Sequence, residues 1–113
     1  MAPARLKNLI FILLTATSIL HLAVAALIAP TDLRLPLAGF GVIYGVLAFV
    51  VRSGGRAAII GAIAVCGIGL ALGGAKYLQA GGDGPIAMPI MLLIDIAIIA
   101  AGGIWIMKSG KSA

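Results

Sequence analysis

The sequence predicts an all-α membrane protein: a single domain spanning residues 1–113, built as a four-transmembrane-helix bundle with both termini cytoplasmic. Three observations predict it. Of the 113 residues, 63% are hydrophobic, against about 45–50% in an ordinary soluble domain. The apolar residues fall in four blocks of bilayer-spanning length, and the basic residues sit between the blocks with a strong bias in side. This distribution argues against a nucleic-acid binder, a disordered tail or a disulfide-stapled secreted domain.

The spans run from 9 to 29, 35 to 51, 57 to 75 and 85 to 107, of 21, 17, 19 and 23 residues. An α-helix needs about 17–25 residues to cross about 30 Å of hydrocarbon, and the strict alternation of a barrel strand is missing. The connections are too short to hide a soluble domain. Pro30 and Pro36 are expected to bracket the first turn, Ser53, Gly54 and Gly55 to form the second, and Gly81, Gly82, Asp83 and Gly84 the third. Pro85 suits the first helical turn, where a missing N–H is harmless, with Asp83 capping the free amides. Pro89, one turn on, is expected to bend that helix start. Arg5 and Lys7 before the first span, and Ala23, Val24 and Ala25 near its end, resemble the parts of a signal peptide. An apolar run of 21 residues exceeds the usual h-region of about 7–15, so an uncleaved helix is expected.

With the N-terminus inside, the cytoplasmic side receives Arg5, Lys7, Arg52, Arg56, Lys108 and Lys111, and the far side only Arg34 and Lys76, together with Asp32 and Asp83. This six-to-two bias over short loops is the positive-inside pattern. It accounts for the net charge of +5 through the lipid bilayer, without a nucleic-acid partner. The compact turns and Ala/Gly-rich spans point to a bacterial inner (plasma) membrane. Small multidrug transporters are similar in length and span number, but their first-span glutamate has no counterpart in a chain without Glu, and the charge bias opposes dual insertion. No family is assigned from these residues.

Inside the spans, His21 and Asp95 are the groups that ionise near neutral pH, with Tyr44 and Cys66 as further polar or reactive side chains. At about 1.5 Å per residue from the outer helix ends, His21 lies about 13 Å deep, Tyr44 about 12 Å, and Cys66 and Asp95 about 15 Å. Every helix thus places one such group near the midplane, while helix rotation stays open. Asp95 costs about 2.5–3.5 kcal/mol to insert, offset by the eight Ile and two Leu of its span, at about −3 to −6 kcal/mol together. An acid carried at that cost is a functional candidate facing the bundle interior or a subunit contact; the plainer reading is packing glue hydrogen-bonded to a neighbouring helix. His21 either relays protons with Asp95 or is a neutral imidazole bonded to a carbonyl or to Tyr44. Thr17 and Ser18, on its face, are expected to bond back to their own helix.

Met88 and Met91 share the Asp95 side of the fourth span and with His21 form a conceivable soft site for monovalent copper, but Met is most often adaptable filler. One His and one Cys cannot complete a zinc site, so no metal or cofactor is expected. Cys66 reads as a small packing residue. Tyr77 and Trp105, near span ends, are expected to be interfacial anchors. Gly41 with Gly45, and Gly69 with Gly73, form GxxxG stripes for helix packing. With no nucleophile beside a base and no phosphate loop, the chain is expected not to be an enzyme. The leading expectation is an accessory or scaffold subunit packed against a larger membrane complex. The alternative is a homo-oligomeric, proton-coupled transporter or channel for a small solute or ion, using Asp95 and His21.

Overall fold

The computed structural model describes residues 3–28, 31–82 and 86–109. Four helices make up the described residues: α1 (Pro3–Leu27), α2 (Thr31–Ser53), α3 (Arg56–Gln79) and α4 (Ala87–Ser109). Each is long and apolar enough to cross a membrane. At 23 to 25 residues they are about 35 Å long, slightly more than about 30 Å of hydrocarbon.

The helices outrun the apolar blocks. Helix α1 starts at Pro3 rather than Leu9, because Arg5, Leu6 and Lys7 are good helix formers and a charged head does not stop a backbone ladder. Likewise α3 continues through Lys76 to Gln79, so Lys76 and Tyr77 belong to the helix, not to the connection. Pro36 corrects the expected first turn: it is the sixth residue of α2, so the helix begins at Thr31 and passes through it. Having no N–H, Pro36 cannot donate to the Asp32 carbonyl one turn back. The expectations placed on Pro30, Asp83, Gly84, Pro85 and Lys111 lie outside the described residues.

The third turn is closed by backbone geometry. Gly82 N–H donates to the Tyr77 carbonyl at 3.0 Å and Gly81 N–H to that of Leu78 at 2.9 Å, the two bonds of a Schellman cap. Gly81 and Gly82 have φ of 70° and 78°, a region closed to most side chains, and so glycine ends α3 here.

Short connections make consecutive helices antiparallel, and α1 packs on α2 and α4 while α3 packs on α4 and less tightly on α2. Helices α1 and α3 occupy opposite corners of the bundle, as do α2 and α4. The core of Leu6, Ile10, Leu14, Val51, Ile59, Ile98 and Trp105 fills the half that holds the N-terminus of α1 and the C-terminus of α4. The outward surface is apolar, with Ile19, Val46, Phe49, Ile60, Leu93 and Met107 all exposed, whereas Thr17, Ser18, His21 and Asp95 are buried.

Small residues set the helix approaches. A Cβ built on Gly41 would lie 2.8 Å from Leu22 Cγ, and one on Gly45 3.1 Å from Ser18 Oγ, so this stripe receives α1. On α4, a Cβ on Gly102 would lie 2.8 Å from Ile63 Cγ1, while one on Gly103 meets nothing. Two adjacent glycines therefore respond oppositely to the same change. Gly102→Ala overpacks the α3–α4 contact and is expected to lose about 1–3 kcal/mol. Gly103→Ala is expected to be neutral or to gain up to about 1 kcal/mol from helix propensity, as thermal unfolding in detergent will read.

Candidate functional site: a polar cluster beneath a one-sided cavity

His21, Tyr44, Cys66 and Asp95 come together from α1, α2, α3 and α4, all buried. The centre is a hydrogen bond across the bundle: Tyr44 Oη donates to Asp95 Oδ1 at 2.9 Å. It joins α2 to α4, the diagonal pair with no backbone neighbours. Cys66 on α3 is 0% exposed and packs in the same core cluster as Tyr44. Tyr44 is 0% and Asp95 2% exposed, so both ends of the bond lie inside the bundle.

His21 is linked to Asp95 through Tyr44. Its ring lies 4.9 Å from the Tyr44 ring, tilted by 53°, and Phe40 completes the aromatic group at 6.0 Å from Tyr44 and 6.4 Å from His21. His21 Nδ1 is 2.7 Å from the Thr17 carbonyl oxygen, and since a carbonyl only accepts, Nδ1 carries a proton and donates it there. Thr17 Oγ1 lies 3.1 Å from the same nitrogen. The back-bonding expected of Ser18 is corrected: its hydroxyl donates to the Gly41 carbonyl at 2.6 Å, crossing to α2 because the glycine stripe brings that backbone close.

Gly69 makes room for the cluster. A Cβ there would lie 2.5 Å from Tyr44 Oη and 3.4 Å from Asp95 Oδ2, so only a glycine admits the hydroxyl at that depth. A Cβ built on Gly73, one turn on, would lie 3.2 Å from Leu92 Cδ2. Above the cluster, where α2 and α3 touch least, lies a cavity of about 240 Å³. Its lining is almost wholly apolar, from Leu33 and Pro36 to Met88 and Met91, with His21 and Asp95 at the inner end and Lys76 towards the helix ends. The other side of the cluster is closed by Ala48, Val51, Ile59, Ala62 and Ile98.

Met88 and Met91 thus share the cavity with His21, while among the described residues no group of three His, Cys, Asp or Glu is placed to hold a metal. Trp105 departs from its expected role as an interfacial anchor: it is 8% exposed and packed in the core, because its face of α4 is turned towards α1 and α3. Tyr77 is half-buried near the end of α3. Phe40 and Lys76 were not singled out from sequence. Phe40 is detectable as the residue one turn before Tyr44 on the same face; Lys76 lies just past the apolar run that ends at Ala75.

Compared with family models, with curated proteins and with solved structures, the chain matches none.

The Tyr44–Asp95 bond gives a direct prediction. Tyr44→Phe keeps the ring but leaves the carboxyl short of a donor, and is expected to cost about 1–3 kcal/mol. Gly69→Ala is expected to act through the same bond, so its effect should shrink sharply in the Tyr44→Phe background, as a double-mutant cycle of thermal stabilities in detergent will read.

Proposed function

We propose that the chain is an integral membrane protein that crosses the bilayer four times with both termini cytoplasmic, and that it is a proton-coupled carrier of a small, largely apolar solute. The observation that carries this reading is that the one intramembrane acid, Asp95, and the one histidine, His21, line the same cavity. Ionisable groups buried inside a membrane bundle are expensive and mark solute paths and proton relays. At about 240 Å³ the cavity is smaller than the roughly 300 Å³ at which drug-sized pockets begin, so it suits a small solute.

The orientation places the open end of the cavity outside, with Asp32, Arg34 and Lys76, and the packed end inside, with Lys7, Arg52, Arg56 and Lys108. Solute would enter from outside, and the closed core below the cluster makes this an outward-facing form rather than an open pore. The α2–α3 contact, the loosest of the four, is where a passage to the other side would form. Asp95 supplies the proton-binding carboxyl, with the Tyr44 hydroxyl as its donor.

A second reading, the accessory subunit of a larger membrane complex or homo-oligomer, is favoured by the outer face of α3. There Ala64, Gly67, Ala71 and Gly74 form a small-residue stripe; Ala64 and Ala71 are exposed, and a Cβ on Gly67 or Gly74 would meet nothing. Such faces suit helix docking in lipid.

The readings separate in proteoliposomes carrying an internal pH dye. In the carrier reading the native protein gives a pH-dependent proton flux, and Asp95→Asn abolishes it while the protein still assembles. In the accessory reading there is no flux to lose, and the same change loosens a partner that co-purifies in mild detergent. Orientation is checked in intact cells with single cysteines in a Cys66→Ala background: Ser53→Cys is expected to stay protected from an impermeant maleimide and Gln79→Cys to react.

A further inference from the structure

A second concavity, of about 250 Å³, lies at the opposite end of the bundle and is lined by Ala4, Lys7, Asn8, Phe11 and Arg52. We infer that it is a binding site for the phosphate of an anionic phospholipid headgroup in the cytoplasmic leaflet. The inference rests on the membrane orientation above but not on what the central cavity carries.

Both cations are held in place by the fold. Lys7 Nζ donates to the Gly54 carbonyl in the α2–α3 turn at 2.7 Å, which uses one of its three donors. The Arg52 guanidinium lies over the Phe11 ring, 5.1 Å from its centroid. A guanidinium held over a ring keeps its N–H donors in its own plane, a planar fork that suits the oxygens of a phosphate. Asn8 adds a neutral amide donor between them. Among the described residues the carboxylates stand elsewhere: Asp32 is in the first turn of α2, at the other end of that helix from Arg52, and Asp95 is buried at mid-bundle.

The position selects a lipid over a free anion. Lys7 and Asn8 immediately precede the apolar run that begins at Leu9, and Arg52 immediately follows the one that ends at Val51, so the donors lie at headgroup level. Beside them, Phe11 and Ala4 give the same concavity an apolar wall, which suits the glycerol and upper acyl chain of a lipid and not a hydrated ion. A lipid phosphate held there would bridge α1 to the end of α2 and reinforce the contact from Lys7 to the α2–α3 turn.

A built site and a diffuse basic surface respond differently to charge-matched changes. Diffuse attraction weakens about fivefold for each basic residue removed, wherever it stands. A site depends on Lys7 and Arg52. The full chain is reconstituted in nanodiscs of phosphatidylcholine with phosphatidylglycerol, and the lipid retained on release is read by native mass spectrometry. One phosphatidylglycerol is expected to stay on the wild type and on the control Arg5→Gln/Arg56→Gln, and to be lost from Lys7→Gln/Arg52→Gln. Arg52→Lys preserves charge and fold but not the planar fork, and is expected to retain the lipid about tenfold less well. Equal loss in both double variants, or retention by Lys7→Gln/Arg52→Gln, overturns the site. Displacement of the lipid by excess inorganic phosphate overturns its assignment to lipid. Failure of the Ser53 and Gln79 labelling pattern overturns the orientation instead.

Discussion

The arrangement of the four helices centres on one hydrogen bond, from Tyr44 on α2 to Asp95 on α4. These helices stand at opposite corners, with no other helix contact drawing their backbones together. Asp95 is 2% exposed, and leaving a carboxyl so buried without its donor costs more than the bond itself contributes. The tyrosine must therefore reach fully across the bundle axis, which it does only because Gly69 on α3 leaves space for its hydroxyl. The imidazole of His21 packs against the same ring, and so the fourth helix is tied to the arrangement as well.

Around this centre the usual distribution of a folded chain is reversed. Large apolar side chains face outward on every helix, while the polar side chains of Thr17, Ser18, His21 and Asp95 are buried. In lipid such an exterior supplies no hydrophobic drive for association, so the helices must hold together by close packing and by hydrogen bonds. Both are present at α1–α2, where Gly41 and Gly45 admit α1 and Ser18 reaches the carbonyl that the missing side chain exposes.

How much of this was legible in the sequence depends on which coordinate is asked for. Depth was legible, since the rise of a helix is fixed: counting from the helix ends puts His21, Tyr44, Cys66 and Asp95 in one layer, and in the bundle they come together there. Rotation was not. The apolar moment that turns a soluble helix towards its core is weak when lipid and core are both apolar, so nothing in the run from Ala87 to Lys108 said that Trp105 would face inward. For the same reason the GxxxG pairs could be found but not assigned to an inner or outer face, and the outward stripe of α3 was missed beside the inward one. Helix ends depart from the apolar blocks at Pro3 and Lys76 because a charge does not stop a backbone ladder, and at Pro36 because a proline in the opening turns of a helix does not end it.

The two ends of the bundle differ for a reason that is also local. On the cavity side, α3 presents Gly69 and Gly73 where α2 carries Pro36 and Leu37, so volume is missing from α3 at the level where the α2 ladder loses a bond. On the other side, Val51, Ile59, Ile98 and Trp105 supply bulk from three helices, and Lys7 fastens α1 to the turn between α2 and α3. The Tyr44–Asp95 bond sits at the boundary between these halves. Any rearrangement that opened the packed half would have to separate α2 from α3 below it, and would therefore act first on the residue whose hydroxyl rests against Gly69.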